Sequence, residues 1–188
     1  MNREFKDAIE NSPIIAAIKN DAELHQCLTC DSRVIFILYG DICNIADIVD
    51  TVKSAGKIAL VHLDLIGGLN AKEIAVDFIK KYTRADGIIS TRPQLIRHAK
   101  ELSLYTVMRF FVIDSMAYDN SEKQLHAVRP DFIEILPALM PKVISRICDL
   151  SSGSVIAGGL ISDKEDVIQM IQAGAISISS TNEKVWFL

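Results

Sequence analysis

Several charged residues stand inside or at the ends of runs that are otherwise apolar, and these are the positions able to do chemistry. His62 and Asp64 are two apart in VHLDLIGGL, which puts both on one side of an extended segment. Glu134 lies between two isoleucines in DFIEIL, where an unpaired carboxylate would be costly to bury. Arg109 precedes FFVI, and Lys19 follows PIIAAI. Such groups can neutralise one another in a structural network, or they can bind hydroxyls and water. A second pattern is the stretch VIAGGLISDKEDV (155–167), an apolar run followed by Gly158 and Gly159 and then an acidic helix start. AISISSTNEKVW (175–186) repeats that plan with Ser179, Ser180 and Thr181 in the place of glycine. Glycine lets backbone N–H groups approach an anion, and hydroxyls add donors. The chemistry these two stretches suggest is phosphate binding.

The elements that would position these residues alternate. Apolar runs rich in isoleucine and valine recur at 13–18, 33–39, 57–65, 87–90, 105–113, 131–136, 155–159 and 175–179. Several lack polar alternation, as strands buried on both faces do. Segments 45–56, 72–83, 93–104, 137–150 and 163–174 place apolar residues at helical spacing. Asn70 and Ser162 are expected as N-caps, Gly56 and Gly174 as C-terminal glycines, and Pro93 and Pro137 in first turns. Eight strand–helix units predict an α/β chain folded as a compact, single-domain TIM-like (β/α)8 barrel over residues 1–188. The alternative is an open doubly wound sheet, but SPIIAAIKND has no glycine fingerprint at the first turn. In a barrel, function gathers at the C-terminal strand ends, and phosphate commonly sits at the last two of them.

Composition narrows the class. The 188 residues are 49% hydrophobic and 23% charged, a soluble globular balance. Apolar runs of membrane-spanning length are absent and the N-terminus is polar and acidic, so a cytoplasmic protein is expected. A net charge of −4 argues against bulk electrostatic binding of nucleic acid, though not against a local basic patch. Arg97 and Lys100 near Arg92 form one small basic flank, and KKYTR (80–84) forms another. His25, His98 and His126 fall in helix-like segments and read as surface residues. CLTC (27–30) has metal or redox spacing but lacks a second pair, and reads as two reduced thiols.

Taken in order, PIIAAIK, VHLDLIGGL, DGIIST, RFFVIDS, PDFIEILPALMPKVI, IAGGLI and AISISSTNEKVW resemble the glycerol-3-phosphate-responsive antiterminators, from about Pro13 to Trp186. The resemblance implies a TIM-barrel-like regulator without catalysis, glycerol 3-phosphate as effector, no cofactor, and the leader mRNA of glycerol operons as partner. It implies effector-site roles for Gly158, Gly159 and the Ser179–Thr181 run, and for His62, Asp64, Arg109 and Glu134. Met108 departs from the family, which more often has a polar residue before this arginine, so a detail of the pocket floor does not carry over from the resemblance. The residues alone also allow an enzyme: a small isomerase or aldolase for a phosphorylated triose or sugar, with Lys19 as Schiff-base amine and Glu134 or Asp64 as base.

Overall fold

The computed structural model describes residues 3–151 and 154–188. Eight parallel strands close into a barrel in sequence order, with β8 pairing back onto β1. The strands are β1 (Ile14–Ile18), β2 (Val34–Ile37), β3 (Ile58–His62), β4 (Gly87–Ser90), β5 (Tyr105–Phe111), β6 (Phe132–Leu136), β7 (Val155–Gly158) and β8 (Ser177–Ser180). A helix precedes the barrel, α1 (Arg3–Asn11). The crossovers carry α2 (Asp21–Cys27), α3 (Ile45–Ser54), α4 (Glu73–Tyr82), α5 (Pro93–Glu101), α6 (Ser115–Val128), α7 (Pro141–Ser151) and α8 (Lys164–Gln172), and α9 (Glu183–Trp186) follows β8. Among these described residues no helix is long and apolar enough to cross a membrane.

The period of two along each strand sorts side chains into two cores. Outward residues such as Val61, Met108, Ile133 and Ile178 pack under the helices. Inward residues such as Ile15, Phe36, Leu60, Val107, Phe132 and Ile156 fill the barrel. Toward the C-terminal strand ends the inward positions turn polar, and His62, Arg109, Glu134 and Ser179 are all buried. The other end is plugged by α1. Phe5, Ala8 and Ile9 join the inner core, with the Phe5 ring 4.7 Å from that of Tyr105 and 4.6 Å from that of Phe132. A fully buried phenylalanine contributes about 1.5–3 kcal/mol, so this short polar helix is a structural part of the barrel floor.

Some local expectations need correction. The residue before α8 is Asp163, whose side chain accepts from the Asp166 N–H, and Ser162 instead bonds the Asp166 carboxylate. Before α4 stands Lys72 rather than Asn70, with no side-chain cap bond. Pro93 does open α5, whereas α7 begins at Pro141 and Pro137 lies in the preceding turn. Met108 faces the helix layer at 0% exposure, so its departure from the family pattern does not alter the pocket floor.

Candidate functional site

Strand register brings the polar ring together. Arg109 and Glu134 are paired across β5 and β6, and Gly158 and Ser179 across β7 and β8. The Arg109 Nε donates to Glu134 Oε2 at 2.5 Å, and the Ser179 hydroxyl donates to Glu134 Oε1. Both carboxylate oxygens are therefore engaged inside the barrel, at 1% exposure. The terminal guanidinium nitrogens of Arg109 make no hydrogen bond among the described residues. This geometry explains one of the two glycines. A Cβ on Gly158 would stand 2.4 Å from Ser179 Oγ and 2.8 Å from Glu134 Oε1, so Gly158 is empty for the sake of that carboxylate contact.

Gly159 is different. It holds φ +78°, a left-handed conformation, and Leu160 follows at φ +64°. Leucine pays a steric cost there, and it is 71% exposed. Together these residues bend the β7 loop over a cavity of about 370 Å³ lined by Ala17, Leu38, Arg109, Glu134, Leu136, Gly159, Leu160, Ile161, Ser162, Ser179, Ser180 and Thr181. The Leu160 N–H and both donors of Thr181 have no acceptor among the described residues. Of the hydroxyl run, Ser179 is committed to Glu134, and Ser180 donates to the Ile161 carbonyl while accepting from the Asn182 N–H. Asn182 also donates to the Ser162 carbonyl, and the Trp186 indole donates to the Ser180 carbonyl. These bonds tie the last two loops into one rim.

The other sequence-derived candidates lie outside this lining. Lys19 is half exposed, its ammonium 3.4 Å from Glu23. Asp64, in the 3-10 turn Leu63–Leu65, accepts from Ser90 Oγ, Thr91 N and Oγ1, and Arg92 Nε, so it holds the β4–α5 loop. His62 is buried, and its Nδ1 finds no hydrogen-bond partner among the described residues, with Asp64 Oδ2 at 3.9 Å. Burial first, and the Arg109 charge second, lower its pKa from 6.5 to about 4, against the opposing pull of Asp64. Arg92 opens α5 at the mouth, Lys100 lies in the last turn of the same helix, and Arg97 is exposed between them, so the three do not form one patch. Cys27 and Cys30 are buried, and their thiols donate to the Leu24 and Cys27 carbonyls. Burial, with Cys30 beside it, pushes the Cys27 thiol up to about 12, which suits an inert core residue. No cluster of three metal-binding side chains occurs among the described residues.

Sequence reasoning missed the apolar half of the cavity, Ala17, Leu38, Leu136, Leu160 and Ile161. The available signal was the leucine directly after the glycine pair, a large apolar residue where a turn is expected. It also missed Ser90 and Thr91 as partners of Asp64, because a hydrogen bond 26 or 27 residues apart has no local signature.

His62 carries a pH prediction. Its folded-state value lies below 6.5, so the neutral ring favours the fold; that contribution is complete above pH 6.5 and is lost as pH falls through about 4. Wild type should lose about 2–3 kcal/mol more than His62→Gln between pH 7 and pH 4.5 in urea denaturation. Parallel stability curves would show that His62 does not titrate in that window.

A family model described as "Glycerol-3-phosphate responsive antiterminator" matches residues 14–186. The uncharacterised protein YgcP of Escherichia coli K12 is 41% identical over 180 residues, covering 96% of this chain and 94% of that protein. Among solved structures, the glycerol uptake operon antiterminator regulatory protein of Listeria monocytogenes superposes with a TM-score of 0.90 at 35% identity, over 94% of this chain and 95% of that one. A glycerol uptake operon antiterminator-related protein of Thermotoga maritima gives 0.82 at 32% identity, over 92% and 96%. An aldolase superposes at 0.71 with 14% identity, a likeness of fold alone.

Proposed function

The chain belongs to the glycerol-3-phosphate responsive antiterminator family, and on that premise we propose that it binds glycerol 3-phosphate at the barrel mouth and, so loaded, acts on the leader mRNA of glycerol genes to let transcription pass a terminator. The observation that carries the effector reading is the left-handed Gly159–Leu160 turn facing Thr181 across a cavity floored by Arg109 and Glu134. Backbone and hydroxyl donors of the two loops take the phosphate. The free guanidinium nitrogens of Arg109 and the remaining lone pairs of Glu134 take the glycerol hydroxyls. Gly158, Ser179 and Ser180 support this pocket by shaping it, Asp64 by holding a neighbouring loop, and Lys19 stands at its rim. The protein works where transcripts are made, in the cytoplasm.

A regulator rather than an enzyme is the better reading of the same residues. A Schiff-base amine works from a desolvated pocket, whereas Lys19 is half exposed beside Glu23. Both carboxylate oxygens of Glu134 are already engaged, by the Arg109 guanidinium and the Ser179 hydroxyl. Glycerol 3-phosphate should tighten leader-RNA binding by roughly 5- to 150-fold, the usual range of coupling between two sites. By linkage, RNA should tighten effector binding by the same factor. Filter binding or fluorescence anisotropy with and without effector measures it. RNA affinity indifferent to glycerol 3-phosphate would sink the gated-regulator reading and bring back the enzyme.

A further inference from the structure

The two ends of the barrel differ in charge. The loops at the mouth carry Asp21, Asp41, Asp64, Asp114 and Asp163, and α8 opens with Glu165 and Asp166. At the opposite end, where the helices finish, α4 closes with Lys80 and Lys81 and is followed by Arg84. Its neighbour α5 carries Arg97 and Lys100, and Arg129 ends α6 beside it. Lys80, Lys81, Arg97 and Arg129 have no carboxylate within ion-pair distance among the described residues. Arg84 lies 3.8 Å from Asp50, with both side chains more than half exposed, a contact worth little in water. Lys100 donates to the Arg129 carbonyl. Two carboxylates on these helices, Asp77 and Glu101, are both turned onto His98, at 2.9 and 3.3 Å. A chain of net charge −4 thus keeps an unneutralised basic surface here.

An exposed aromatic ring stands at the α4 edge of it. Tyr82, the last residue of α4, is 57% exposed. Phe78 packs against it from one turn below, ring centroids 5.3 Å apart, which holds the ring in place. The Lys81 ammonium lies 5.1 Å from its centroid. An exposed, braced ring with unpaired cations on the same helix end is an arrangement that grips single strands: a base stacks on the ring and the flanking phosphates meet the lysines. A duplex keeps its bases stacked on one another and offers none to such a ring.

We propose that the exposed surface at the C-terminal end of α4, carrying Tyr82 with Lys80, Lys81 and the following Arg84, is the docking surface for single-stranded leader RNA. This rests on the RNA-binding reading above. The surface lies at the far end of the barrel from the effector cavity, and Arg92 belongs to the mouth rather than to the RNA face. One helix joins the two ends, since α5 starts at the Asp64-held Arg92 and finishes at Lys100.

The test uses the full chain, saturated with glycerol 3-phosphate, and a transcript of the glycerol operon leader, with affinity measured against salt. Tyr82→Ala should weaken binding by about ten- to a hundredfold, the loss of one base–ring stack. Tyr82→Phe, which keeps the ring, should restore wild-type affinity. The double variant Lys80→Ala/Lys81→Ala should flatten the log–log salt slope by about 1.4, roughly 0.7 for each lost phosphate contact. Lys72→Ala, which removes a lysine from the other end of α4, should leave the slope unchanged. All of these are exposed positions, so folding is not at issue. Wild-type affinity in both Tyr82→Ala and the lysine double variant overturns the surface while leaving the RNA reading intact. Unchanged RNA affinity with loss of terminator read-through in a transcription assay overturns it in favour of a protein partner. A wild type with no affinity for the transcript overturns the RNA reading and the surface with it.

Discussion

Replacement of Glu134 by alanine should cost the folded chain about 3–5 kcal/mol, the penalty for leaving a buried partner charge uncompensated. Arg109 is 7% exposed, and Glu134 is its one acceptor among the described residues. Ser179 loses its acceptor in the same step, and a buried unsatisfied donor costs about 1–3 kcal/mol of its own. A domain of this kind has about 5–15 kcal/mol in all, so Glu134→Ala should lie near the edge of folding. Urea denaturation measures the loss. The companion variant Glu134→Ala/Arg109→Met removes both charges and should recover most of the stability, because a buried ion pair exchanged for apolar groups is often neutral. It should not recover effector binding, because the guanidinium is gone. A loss under about 1 kcal/mol in the single variant would mean that water reaches Arg109 freely and that the pair does not close the barrel top.

The same pair shows how far the sequence could be read. Glu134 between two isoleucines and Arg109 before an apolar run announced buried charge, and the alternation of strands placed both on the barrel top. That they face each other could not be read locally, since the partners are 25 residues apart and meet only through the β5–β6 register. Gly158 and Gly159 look alike in the sequence and do different things: the first makes room for a carboxylate arriving from β6, the second turns the chain. Asp64 shares the strand-end signature of His62, but the 3-10 turn swings it toward the β4–α5 loop and away from the cavity. The eight-unit barrel was legible because its strands are apolar throughout and separated by regular intervals. Helix α1 was not, because only Phe5, Ala8 and Ile9 carry its apolar face. Helix α6 was hidden too, since Ser121 takes one of its buried positions beside Leu125 and Val128.

The second large effect is expected at the phosphate loops. Gly159→Asp should abolish binding of glycerol 3-phosphate, since its carboxylate would compete for the donors of the β7 and β8 loops and repel the ligand. The stability cost should be modest, about 1–2 kcal/mol for a side chain at φ +78°, because the nearest atom to a new Cβ is a Leu136 methyl at 3.4 Å. Gly159→Ala pays the same backbone cost without the charge and should keep most of the affinity. That comparison separates the anion from the strain: equal losses in the two variants would assign the effect to the backbone turn alone.

Titration calorimetry of the wild-type chain with glycerol 3-phosphate and then with glycerol tests the central claim most directly. Each charge-assisted hydrogen bond to the phosphate contributes about 1.5–3 kcal/mol, so even one of them sets the two ligands roughly ten- to a hundredfold apart. With donors from both loops, glycerol 3-phosphate should bind at least about a hundredfold more tightly than glycerol, and Gly159→Asp should erase the difference. Equal affinity of the wild type for the two ligands would contradict the account, because the loops after β7 and β8 would then hold no phosphate.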